Sequence, residues 1–73
     1  MTSETRHIAW KCFQLLDPES NQREDPGVTL ENTTEIYRSI IYPKRGLKSF
    51  IVQSDLKMWL NKMRICMCVL ISA

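Results

Sequence analysis

A chain of 73 residues, 44% apolar, with ten lysines and arginines against eight acids, makes one domain at most and buries only ~60% of its unfolded surface. Its two glycines do not stand at the spacing a phosphate-binding loop needs, which excludes that function. Three cysteines cannot all pair and no secretory signal is evident in the charged opening, so free thiols and a cytoplasmic setting are expected, with nothing in the sequence excluding the nucleus.

Residues 1–17 are predicted as a helix. Thr2 or Ser3 caps it, Glu4 complements its dipole, and Asp17-Pro18 ends it, because a residue before proline disfavours helical geometry. Ile8, Cys12 and Leu16, with Ala9 and Phe13 beside them, form one apolar face that Trp10 and Leu15 widen. His7, Lys11 and Gln14 form the polar one.

Residues 17–27, DPESNQREDPG, have no apolar side chain except their prolines. They read as a mobile acidic loop or linker that stays outside the fold with its carboxylates hydrated. Asp25-Pro26-Gly27 is a turn, since proline presets the backbone and glycine relaxes the exit. Ser20 offers a phosphorylation site, although a plain solvated loop is the stronger reading.

The middle segment, 28–53, is the ambiguous one. Residues 28–30 read as a short strand or a lead-in. Asn32-Thr33-Thr34-Glu35 has the pattern of a capping box; its glycosylation sequon should go unmodified without a secretion signal. The pairs Ile36, Ile40 and Tyr37, Ile41 favour a helix that runs to Tyr42 and is stopped by Pro43, with a strand as competitor. Pro43-Lys44-Arg45-Gly46 reads as a turn carrying two cations. Phe50, Ile51 and Val52 favour an extended run that could pair with 28–30.

The chain is organised around 54–71, SDLKMWLNKMRICMCVLI. Ser54 is a cap candidate with Asp55 behind it. Leu56, Trp59, Leu60, Met63, Met67 and Leu70 recur at three- and four-residue intervals as one stripe of an amphipathic helix. Lys57, Asn61 and Arg64 share another side, with Lys62 nearby. Residues 65–71 are apolar without a break, so periodicity cannot separate a buried strand from a continuing helix; the absence of glycine and proline favours the helix. The run is too short for a membrane span, which needs ~20 apolar residues.

The expected fold is therefore mainly α, one small domain of about three helices, with α+β containing one short hairpin as the alternative. The first helix should set Ile8, Cys12, Phe13 and Leu16 against Leu56, Trp59, Leu60 and Met63.

No catalytic constellation emerges. His7 and Cys12 stand about 140° apart on a helix, and no base, nucleophile and oxyanion donor converge. Metal binding is not expected either, because Cys66-Met67-Cys68 lies in an apolar run rather than at a zinc-knuckle turn. No cofactor or small-molecule substrate is implied.

What remains is binding. Residues 1–36 hold three cations against seven acids, and 37–73 hold seven against one. That asymmetry implies an internal acidic–basic clasp or a basic surface that meets an anion. The first reading is a non-enzymatic accessory or adaptor protein that engages a protein partner, or a second copy, through Trp59, Met63, Met67 and Leu70, with 65–71 as the surplus apolar surface to be covered. The alternative is nucleic-acid binding through Lys44, Arg45, Lys48, Lys57 and Arg64. A third is association with an anionic membrane surface through the basic helix, with Cys66 or Cys68 as a palmitoyl acceptor.

Overall fold

The computed structural model describes residues 3–45 and 53–72. The chain is mainly helical, and no strand occurs among the described residues. Among the described residues four α-helices follow one another: α1 (Ser3–Leu16), α2 (Thr33–Ile40), the single turn α3 (Tyr42–Arg45) and α4 (Gln53–Ser72). A 3-10 helix, Pro18–Gln22, follows α1.

Helix α1 ends where the sequence says it should. The Asp17 N–H makes the last bond to the Phe13 carbonyl at 2.9 Å, and Asp17 then turns extended (φ −135°, ψ 88°) before Pro18. Its inner face comprises Ala9, Trp10, Cys12 and Phe13, all buried. Leu15, expected to widen that face, points outward and is 63% exposed.

The acidic stretch is more ordered than its composition suggests. Pro18 opens the 3-10 helix at a position that needs no N–H donor. Ser20 is fully buried, and its hydroxyl donates to Asp17 Oδ2 at 2.6 Å. A kinase would thus meet Ser20 only after this turn opens. Farther on, Gly27 takes φ +83°, while Asp25 Oδ1 accepts from the N–H of Gly27 at 2.8 Å and of Val28 at 3.4 Å. The Asp-Pro-Gly turn forms as expected.

The N-cap of α2 is Asn32, as expected, but its side chain makes no bond into the helix and turns upstream instead. Asn32 Oδ1 accepts from the Thr29 N–H at 2.7 Å, and Thr29 Oγ1 accepts from the Asn32 N–H at 3.2 Å. This is the reciprocal arrangement of a capping box, built from Thr29 and Asn32 instead of Asn32 and Glu35. Asn32 Nδ2 also donates to the Gly27 carbonyl at 3.0 Å, which ties cap to turn.

Residues 28–30 are lead-in and turn, not strand. Their hairpin partner, 47–52, lies outside the described residues. Helix α2 stops at Ile40, and Ile41 forms a break. Pro43 sits in the first turn of α3, where its missing N–H is harmless. Proline therefore begins a second helical turn here, in place of the simple stop-and-turn that the sequence suggested.

Helix α4 is the element on which both α1 and α2 pack. It is one continuous helix of 20 residues, about 30 Å long, and it carries the apolar run 65–71 within it. Its described span opens at Gln53, with the expected cap Ser54 already inside the helix. No helix among the described residues is long and apolar enough to cross a membrane.

Leu56, Trp59, Met63 and Met67 of α4 meet the buried face of α1 and the residues Val28, Tyr37, Ile40, Ile41 and Tyr42 in one core. A chain of rings runs through it. Trp10 stacks on Phe13 at 5.5 Å, Phe13 meets Trp59 edge-on at 4.8 Å, and Trp59 meets Tyr37 at 4.7 Å. Tyr37 then meets Tyr42 edge-on at 5.2 Å. Trp59 also makes a buried polar link between α2 and α4, because its indole N–H donates to Thr33 Oγ1 at 3.0 Å.

Candidate interaction surface on helix α4

At ~100° per residue, α4 has two apolar faces. The inner one holds Leu56, Trp59, Met63 and Met67, between 0% and 7% exposed, with Leu60 and Cys66 partly buried at its edges and Leu70 partly buried on the same face near the helix end. The outer one is a narrower stripe. Met58, Ile65 and Val69 lie within about 40° of one another around the axis and are 56%, 58% and 61% exposed. Ile71, 57% exposed, lies off this stripe near the helix end.

Three of the four residues expected to meet a partner are thus taken up inside the chain. Trp59, Met63 and Met67 face α1 and α2, and Leu70 is partly buried against the same core. The physical reason is arithmetic. With so few large apolar side chains elsewhere, the regular three- and four-residue stripe of α4 is the one the core itself requires. The surplus surface lies on Ile65 and Val69, which that periodicity leaves out.

The cations of α4 lie on either side of the outer stripe, Lys62 beside it and Lys57 and Arg64 about 100–120° from its axis. All three are exposed. Lys57 and Arg64 are seven residues apart and so share nearly the same angular position.

The remaining members of the basic set are placed differently. Lys44 Nζ donates to Asp17 Oδ2 and to Glu19 Oε2, each at 2.9 Å. This is an internal acidic–basic clasp, joining α3 to the 3-10 helix. The hydrogen bond to Glu19, reinforced by Asp17, holds the Lys44 ammonium above the ordinary lysine range although its partial burial opposes this. Burial pushes the Asp17 carboxyl up, but the hydrogen bonds from Ser20 and Lys44 and the charges of Lys44 and Arg23 outweigh it, and it titrates below the ordinary carboxylate range. The expectation that all these carboxylates are merely hydrated is corrected at Asp17 and at Glu19. The side chain of Arg45 and the whole of Lys48 lie outside the described residues.

A cleft of about 260 Å³ opens between the end of α1, α2 and the first half of α4, lined by Leu16, Asp17, Tyr37, Asp55, Trp59 and Lys62 among others. Its volume falls short of the usual range for small-molecule sites, and Asp17 is already engaged by Ser20 and Lys44. Among the described residues, no group of three or more histidine, cysteine or acidic side chains is placed to hold a metal ion. His7 is exposed while Cys12 is fully buried.

No family model, no curated protein and no solved structure matches the chain.

Proposed function

We propose that this chain is a small non-enzymatic interaction module that presents the outer face of α4 to a protein partner. One observation supports the reading above the others: Met58, Ile65 and Val69 align on one side of a helix whose opposite side is already buried. Large aliphatic side chains more than half exposed on one line are what a docking surface provides. The cations on both flanks define the partner's chemistry. It is an apolar helix or groove with an acidic rim, held by burial at the centre and steered by charge at the edge.

A second copy of the chain fits less well. A parallel pairing of two α4 outer faces would set Lys57, Lys62 and Arg64 against their own counterparts, a like-charge arrangement that costs affinity. Nucleic acid also gains less support than the sequence suggested, because Lys44 is engaged by two carboxylates.

The test uses two synthetic amphipathic peptides with the same leucine face, one with glutamate and one with lysine on the polar face. The glutamate peptide should bind the full chain and the lysine peptide should not. Changing Ile65→Asp and Val69→Asp together should abolish binding while leaving the far-UV circular dichroism and the urea midpoint close to wild type, since both positions are exposed. Equal binding of the two peptides, or binding unaffected by the double change, would overturn the proposal. A discrete dimer of the isolated protein on a sizing column would give the surface to a second copy instead. Retention on RNA or anionic vesicles that falls steeply with salt would reassign the α4 cations to phosphate.

A further inference from the structure

The cleft between the end of α1, α2 and the first half of α4 lies beside the outer stripe. Met58 belongs to both, and Lys62, next to the stripe, also lines the cleft. At about 260 Å³ it is small for a free ligand, yet larger than the roughly 150 Å³ in which a benzene ring can be enclosed. That is room for one large side chain. Its apolar lining comes from Leu16, Met58 and the paired rings of Tyr37 and Trp59, 4.7 Å apart. Its polar lining is Asp17, Asp55 and Lys62. Asp17 still has an acceptor to offer. The bonds from Ser20 and Lys44 both fall on Oδ2, and none among the described residues falls on Oδ1. The carboxyl titrates below the ordinary range, so it is ionised at neutral pH. Lys62 is exposed and brings three donors. Lys44 already balances the charge of Asp17, and Lys62 that of Asp55, so the lining draws in neither an anion nor a cation on net. It suits an apolar body whose tip both donates and accepts.

Few side chains of that size meet both demands. Phenylalanine or leucine would fill the space but strip water from Asp17 Oδ1 and Lys62 without replacing its bonds. Tryptophan donates and cannot accept. The tyrosine hydroxyl does both from a single oxygen, and its ring adds an aromatic pair with Trp59 or Tyr37. We propose that this cleft receives a tyrosine side chain of the protein partner, whose hydroxyl donates to Asp17 Oδ1 and accepts from Lys62 Nζ. The inference rests on the docking reading of α4 and adds the residue that anchors one end of it, in the way that aromatic side chains seated in pockets dominate many interfaces. On a partner helix the tyrosine stands at one end of an apolar stripe about 16 Å long, the rise from Met58 to Val69.

The experiment follows the Trp59 indole N–H of the full chain by heteronuclear NMR, told from the Trp10 signal by a Trp10→Phe variant. N-acetyl-tyrosinamide should shift the Trp59 signal saturably. N-acetyl-phenylalaninamide should bind at least about tenfold more weakly, because a hydrogen bond to a charged group is lost. Lys62→Met, at an exposed position that leaves the fold intact, should narrow that gap to about threefold or less, and Asp17→Asn should narrow it as well. The glutamate peptide of the docking test, extended by tyrosine at one end or the other, should in one of the two forms bind about tenfold tighter than its phenylalanine counterpart. A glutamate peptide that fails to bind while N-acetyl-tyrosinamide still shifts Trp59 would sink the docking reading and support the cleft. Equal binding of the tyrosine and phenylalanine probes, a gap unchanged by Lys62→Met, or no shift at Trp59 would overturn the cleft whether or not the peptide binds.

Discussion

Replacing Thr33 with valine removes a single hydroxyl from the centre of the fold. Valine has nearly the shape of threonine and a similar helix propensity, so packing and backbone are conserved. What changes is the Trp59 indole N–H, which donates to Thr33 Oγ1 at 3.0 Å. Thr33 is fully buried and Trp59 only 7% exposed, so water has little access to replace the lost acceptor. A neutral hydrogen bond contributes about 1 kcal/mol net, but an orphaned buried donor costs roughly 1–3 kcal/mol. We expect a loss of about 2 kcal/mol. For a domain this small, total stability is on the order of 4–11 kcal/mol, and the melting midpoint should fall by roughly 8–16 °C. Urea denaturation followed by far-UV circular dichroism is the assay, because the substitution itself alters tryptophan emission. Thr33→Ser is the companion: it keeps the acceptor and loses one methyl, at about 1 kcal/mol. A valine variant within about 0.5 kcal/mol of wild type, or a serine variant less stable than the valine one, would refute the claim that this bond fixes α2 on α4.

Three further changes test other links. Gly27→Ala should cost about 1–2 kcal/mol, all of it from the backbone at φ +83°, because nothing lies within 4 Å of the added Cβ; an unchanged urea midpoint would contradict the left-handed turn. Phe13→Ala, at the contact of α1 with Trp59, should lose about 3–5 kcal/mol and lower the urea midpoint far more than Phe13→Leu does. The Lys44 clasp should be felt in a pH window. Asp17 is held below its ordinary range, so its share of stability is present above the ordinary carboxylate pKa and lost as pH falls through the lowered one. Lys44 is held above its ordinary range, so its share is present below the ordinary lysine pKa and lost as pH rises through the raised one. The stability gap between wild type and Lys44→Ala, up to ~1 kcal/mol for a partly exposed pair, should therefore be flat near neutrality and close at both extremes. A gap that widens in acid would contradict the pairing.

Helices α1 and α4 were legible because their apolar residues recur at helical spacing and Asp17-Pro18 marks a boundary. The continuation of α4 through 65–71 rested on a weaker signal, the absence of glycine and proline, and periodicity could not say which side of that run faced in. The structure answers with Met67 buried and Ile65 and Val69 outside. The sequence suggested a partner surface at Trp59, Met63 and Met67 because amphipathic spacing reads the same whether the second surface belongs to the chain or to another molecule. The Thr33–Trp59 bond was beyond reach, since it joins residues 26 positions apart that only docking brings together. The charge asymmetry announced a clasp or a free basic surface, and it contains something of both: Lys44 is engaged, while Lys57, Lys62 and Arg64 are exposed.

The run of rings through the core also has an optical consequence. Tyr37 lies 4.7 Å from Trp59, and Tyr42 lies 5.2 Å from Tyr37, distances at which an excited phenol hands its energy to indole far faster than it emits. Both tyrosines should be dark in the folded chain, with emission that carries the colour of tryptophan alone. When α2 leaves α4 the relay opens and phenol fluorescence returns. The protein therefore carries its own ruler for the docking of its middle segment, readable without a label.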